Sequence, residues 1–150
     1  SLIYMLKKNL IEARTVSGIE VNKVDFMYFN DDDLVSSTTN ELLKDIMKKQ
    51  SSDIILVDLN DYEEVDICTE VYYLIEPSTI MINRLLRKNK NILEELKDKK
   101  IVLNKCSLNS EDVATFEYET KLRVFSTITP VDDRQATHEP IKKFISKMNL

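Results

Sequence analysis

Five short runs of the chain are apolar almost without interruption: 24–29 (VDFMYF), 54–59 (IILVDL), 71–75 (VYYLI), 101–103 (IVL) and 124–128 (VFSTI). They are rich in β-branched and aromatic residues. A strand with one wet face alternates apolar and polar positions. Near-continuous apolar runs of this length suit strands covered on both faces of a parallel sheet. Between the runs the period becomes that of a helix. Residues 1–13 carry Leu2, Met5, Leu6, Leu10 and Ile11 at helical spacings. Residues 39–49 place Leu42, Leu43, Ile46 and Met47 on one face, with Ser37, Thr38 or Thr39 as N-cap. Residues 78–98 read as one long helix or two short ones, opening at Pro77 and Ser78. Residues 110–120 begin with Ser110 as cap and put Glu111 and Asp112 in the first turn, where the helix dipole favours acids. Residues 140–150 close the chain with Ile141, Phe144, Ile145 and Met148 on one stripe.

From Val24 onward strands and helices alternate. Crossover helices of this length imply parallel strands and right-handed connections. The expected fold is a three-layer α/β/α sandwich with a mostly parallel sheet of about five strands. With no repeat, low-complexity tract or linker, residues 1–150 read as a single α/β domain. The stretch 60–70 is too short and polar for a good crossover helix, so it reads as a loop at the carboxyl end of a strand. Open α/β sheets bind their ligands at that edge.

Glycine changes the picture most. The chain has one, Gly18. A loop that cradles phosphate needs several, so that backbone N–H groups can approach the anion without a Cβ in the way. Neither GxxxxGK[ST] nor GxGxxG can be written in this sequence. The formal net charge of -5 argues against nonspecific binding to nucleic acid, which needs a basic surface. No apolar run approaches the ~20 residues that span a bilayer, and no signal peptide is read at the start. The two cysteines, Cys68 and Cys106, lie far apart without metal-ligand spacing, which suits a reducing, cytoplasmic setting.

Asp58 stands near the tip of DIILVDLND. A carboxylate at the end of a buried strand can hold Mg²⁺ beside a phosphate, or simply cap the next turn. Asn104 ends the run IVLN, where its amide can match the paired donor and acceptor of a purine edge, or merely turn the chain. Thr129, Pro130, Val131 and Asp132 follow the last run. Pro130 fixes φ and can shape a wall against a flat base, though a plain strand-to-helix turn explains it too. The acidic run 30–33 (NDDD) reads as a solvated loop. His138, without a second His or Cys nearby, reads as a surface or satisfied histidine. The tail IKKFISKM is basic and amphipathic; packing on a core explains its stripe as well as a membrane surface does.

In order and spacing, DIILVDLND, then EVYYLIEPSTIMINRLLRKNKNILEELKDKKIVLNKCSLNSEDV, then LRVFSTITPVDDRQATHEPIKKFI resemble the C-terminal two-thirds of the ParA/MinD superfamily of deviant-Walker P-loop ATPases. The flavour is that of the TadZ/CpaE-like pilus-assembly and localisation members. The likeness covers about 24–150. It implies that the chain is a fragment of a larger P-loop NTPase-like domain whose P-loop half precedes Ser1. Asp58 would then be the Walker B acid near Mg²⁺. Asn104 would meet the adenine edge of ATP, and Pro130, Val131 and Asp132 would wall the base. The intact protein would form a nucleotide-sandwiched homodimer and position the protein partners of an assembly or partitioning complex. Direct nucleic-acid binding is not implied, and membrane contact is the lesser expectation.

The chain departs from the family in three places. Leu59, Asn60 and Asp61 follow the Walker B position, ITP replaces the commoner IP, and the phosphate-binding lysines and glycines are missing. Phosphoryl transfer rests on that charge clamp, so ATP hydrolysis by these residues alone is not expected. A degenerate, non-hydrolysing scaffold is the second reading. The third is a receiver-like signalling domain with Asp58 as phosphoacceptor, since DIILVDL is similar to a phosphoacceptor strand. Against it, no acidic pair ends an N-terminal first strand.

Overall fold

A computed structural model describes Lys48, Ile54, Leu56, Val65, Asp66 and residues 68–132, 134 and 138–148. The chain divides into two compact units, Ser1–Thr69 with Leu150, and Glu70–Asn149. Every element below belongs to the second unit. Strand β1 is Tyr72–Ile75, followed by helices α1 (Thr79–Lys88) and α2 (Ile92–Glu95). Strand β2 is Lys100–Asn104, helix α3 is Ser110–Thr120, strand β3 is Val124–Ile128 and helix α4 is Glu139–Ile145. The three strands form one parallel sheet in the order β1-β2-β3. The α/β class and parallel pairing are therefore as expected, with three strands among the described residues rather than about five. The run 24–29 lies outside them. Of 54–59 only Ile54 and Leu56 are described, both half-buried and outside a regular strand.

Local chemistry sets the helix ends. Ser78 caps α1, its hydroxyl accepting from the Met81 N–H at 3.3 Å. The stretch 78–98 breaks into two helices at Asn89, which leaves the helical region with φ -143. Ser110 does not cap α3. Asn109 does, its side-chain oxygen accepting from the N–H groups of Glu111 and Asp112 at 2.9 Å each. The Asp112 carboxylate returns to the Asn109 N–H and closes a capping box. The amide of Asn109 reaches two orphan N–H groups from one residue earlier, and Ser110 becomes the first helical residue. At the other end of the unit α4 stops at Ile145, short of the expected 150.

Two sets of buried side chains hold the sheet. Ile75, Ile101 and Leu103 pack with Leu96, Cys106 and Leu122, flanked by Ile82 and Leu85 of α1 and Val113 and Phe116 of α3. Tyr73 joins this cluster, so strand alternation turns Tyr72 away from it. Tyr72 instead meets Phe144 of α4 edge-on, with ring centroids 5.3 Å apart, and Phe125 of β3 at 5.4 Å. Ile141 and Phe144, the stripe of the basic tail, are 0% and 1% exposed. That stripe is buried in the unit's own core.

Phe125 reaches this position through an irregularity. Val124 pairs with Ile101 but Ser126 with Val102, which leaves Phe125 as an extra residue in β3. Lys100, opposite Tyr72 in the register, lies 5.3 Å from the Tyr72 ring centroid and 5.4 Å from that of Phe125. Its ammonium also pairs with Glu70 at 2.9 Å, and the Tyr72 hydroxyl donates to the same carboxylate. This clasp closes the amino end of the sheet.

The clasp makes stability depend on alkaline pH. Burial, together with the hydrogen bond to the Glu70 carboxylate, holds the Tyr72 hydroxyl above the usual tyrosine range. The folded state thus keeps this proton where the unfolded state, with an ordinary pKa of about 10, gives it up. The stabilisation is complete below that value and drains away as pH rises through the folded-state one. Urea midpoints from about pH 8 to about pH 11 should fall more steeply for the wild type than for Tyr72→Phe. Equal slopes would remove the clasp from the account.

Candidate functional site

Parallel pairing in sequence order brings the three strand exits to one rim. Glu76 follows β1, Asn104 ends β2 opposite Ile128, and Thr129 begins the exit from β3. The Cys106 N–H, two residues beyond the end of β2, donates to the Ile128 carbonyl at 2.8 Å and keeps these last two exits together. Lys105 makes the turn with φ 51, a left-handed conformation unusual for a residue with a Cβ. Cys106 can then drop into the core, where it is 1% exposed.

The sequence candidates distribute as follows. Asn104 is half-buried at the rim, and its side-chain amide makes no hydrogen bond among the described residues. Pro130 is exposed and Val131 half-buried on the adjoining exit. Asp132 lies on that exit too, but its carboxylate is engaged by Arg134: Oδ1 accepts from the backbone N–H at 3.1 Å and from Nε at 2.9 Å, and Oδ2 from Nη2 at 2.8 Å. The Arg134 guanidinium, helped by its backbone N–H, holds the Asp132 carboxyl below the usual carboxylate range. Asp58 lies outside the described residues, as does the acidic run 30–33. His138 is 3% exposed, buried at the head of α4 and engaged there rather than on the surface. Cys68 and Cys106 are both free thiols.

Two features escaped the sequence reading. Lys105 Nζ stands 3.4 Å from Glu76 Oε2, an ion pair that links the exits of β1 and β2. Both groups are wet, so the pair adds little stability and leaves either charge free to exchange. Each is the first residue after its strand, and that offset is a signal readable once the strands are taken as parallel neighbours. The second is an open groove of about 290 Å³ between α1 and α3, with Ile82 and Phe116 among its apolar walls and Asn83, Asp112 and Glu119 among its polar ones. Its lining comes from two helices, with first residues Thr79 and Ser110, and from Pro77 and Leu108 just before them, and no local motif marks it.

Among the described residues no group of three or more His, Cys, Asp or Glu could hold a metal ion. No described helix is long and apolar enough to cross a membrane. Comparison with known proteins returns no family model, no curated protein and no solved structure that matches the chain.

Proposed function

We propose that the chain is part of a ParA/MinD-like nucleotide switch, active or degenerate, in which the described unit supplies the rim that receives the base of ATP. The whole would be a three-layer α/β/α domain with about five strands, working in the cytoplasm as a homodimer that positions or assembles a partner complex. One observation carries the reading: a half-buried amide, Asn104, without a partner of its own among the described residues, stands at the carboxyl rim beside the Pro130 exit. An amide presents a donor and an acceptor side by side, as an adenine edge does. Pro130 and Val131 offer the adjoining surface.

The described residues offer contacts to a base and no glycine-rich cradle for phosphates. ATP and adenosine are therefore expected to bind this chain with similar affinity. Asn104→Ala should weaken both by about 1–2 kcal/mol, roughly 5–30-fold, and should abolish preference for adenine over guanine. Titration followed by calorimetry or by NMR shifts of the rim residues measures this. Binding that is unchanged by the substitution, or no binding of either compound, would overturn the proposal.

A further inference from the structure

The helix face turned away from the sheet carries the two most exposed large hydrophobic side chains of the described residues. They are Ile80 on α1, 68% exposed, and Tyr118 on α3, 75% exposed. The same face is divided by charge. Helix α1 bears exposed Arg84 and Arg87, and α3 bears exposed Glu111 and Glu119. None of these four joins an ion pair among the described residues. Ile82, Leu85, Val113 and Phe116 mark the inward sides of the two helices. At ~100° per residue, Ile80, Arg84 and Arg87 share the outer side of α1, and Glu111 and Tyr118 that of α3. Glu119 stands on the flank that borders the groove.

A positive ridge thus runs beside a negative one, with a groove between. Both helices lead away from the carboxyl rim, so they point the same way. A two-fold axis along the groove lays α1 of one copy on α3 of the other, twice, with opposite signs facing. Arg87 lies eight residues beyond the start of α1 and Glu119 nine beyond the start of α3, about 12 and 14 Å along their axes. We infer that two copies of this chain associate through the α1–α3 face. Arg87 of each copy meets Glu119 of the other, while Ile80 and the edge of the Tyr118 ring, whose face already holds the chain's own Lys121 ammonium 4.1 Å from its centroid, supply apolar contact. Two short helices bury less than a standard interface, so the dimer is weak and weakened further by salt. It forms without nucleotide and away from the rim, and it stands whether or not the rim binds ATP.

Sedimentation velocity of the 150-residue chain without nucleotide tests this. A reversible dimer is expected at about 20 mM salt, weakened at least about 5-fold at about 500 mM. Arg84→Glu with Arg87→Glu should give monomers, and so should Glu111→Lys with Glu119→Lys. An equimolar mixture of the two variants should dimerise again, because each then meets its opposite. Circular dichroism establishes that the variants are folded, and Arg84→Gln with Arg87→Gln replaces a reversal that unfolds. A monomeric wild type at low salt, a dimer that survives both reversals, or a mixture that stays monomeric would overturn the inference.

Discussion

Phe144→Ala is expected to cost the Glu70–Asn149 unit about 3–5 kcal/mol. Phe144 is 1% exposed and meets Tyr72 and Phe125 edge-on, with centroids 5.3 and 6.5 Å away. Truncation removes the transfer energy of a ring and leaves a void beside two others that cannot follow it inward. The clasp at Lys100 is seated on those two rings, so its geometry should loosen as well. The chain has no tryptophan, and unfolding in urea is best followed by far-ultraviolet circular dichroism. Lys143→Ala, on the exposed side of the same helix, should stay within about 0.5 kcal/mol of wild type. A Phe144→Ala midpoint equal to that of wild type would mean that α4 does not belong on this sheet.

Leu103→Ala is expected to cost about 2–5 kcal/mol. Leu103 is 0% exposed in the central strand and lies in the cluster beneath α1 and α3. The cavity would open one residue before Asn104, so loss of rim geometry should accompany loss of stability. Leu108→Ala offers the contrast. Leu108 is 37% exposed in the loop before α3, and the same truncation there should cost less than about 1 kcal/mol. If the two substitutions cost the same, β2 is not the centre of this core.

The parts of the fold that could be read from the chain are those fixed by local pattern. Val124–Ile128 and Ser110–Thr120 have the bounds expected of them, because an apolar run and an acidic first turn declare themselves within a few residues. The period over 78–98 allows one helix or two, and Asn89 decides for two by taking an extended backbone. The cap of α3 lies one residue before the Ser110 that the pattern offers, since Asn109 and Ser110 are both good caps and only geometry chooses between them. Neighbouring parallel strands must end on the same side, and the register brings the exits of Asn104 and Ile128 to one rim; the sequence sets Pro130 beside Asn104 only through the family resemblance, and Asp58, expected on the same rim, lies outside the described residues. The clasp of Glu70, Tyr72 and Lys100 with Phe125 could not be read. It requires the Tyr72–Lys100 register and an unpaired residue in β3, and neither leaves a mark on composition or period.

That clasp gives the two ends of the sheet opposite tolerances. At the amino end an ion pair, two ring faces and a carbonyl of Phe125 that accepts from Lys147 interlock several distant segments, so an insertion in any one of them disturbs the rest. At the carboxyl end Cys106 and Asn109 are fixed, one by the core and one by the cap of α3, but the exposed positions Ser107, Leu108, Thr129 and Pro130 hang from strands that are already secured below. Loops of other lengths and chemistries could be grafted there without remaking the foundation. Divergent descendants of such a scaffold would keep their amino-end residues and exchange their ligands.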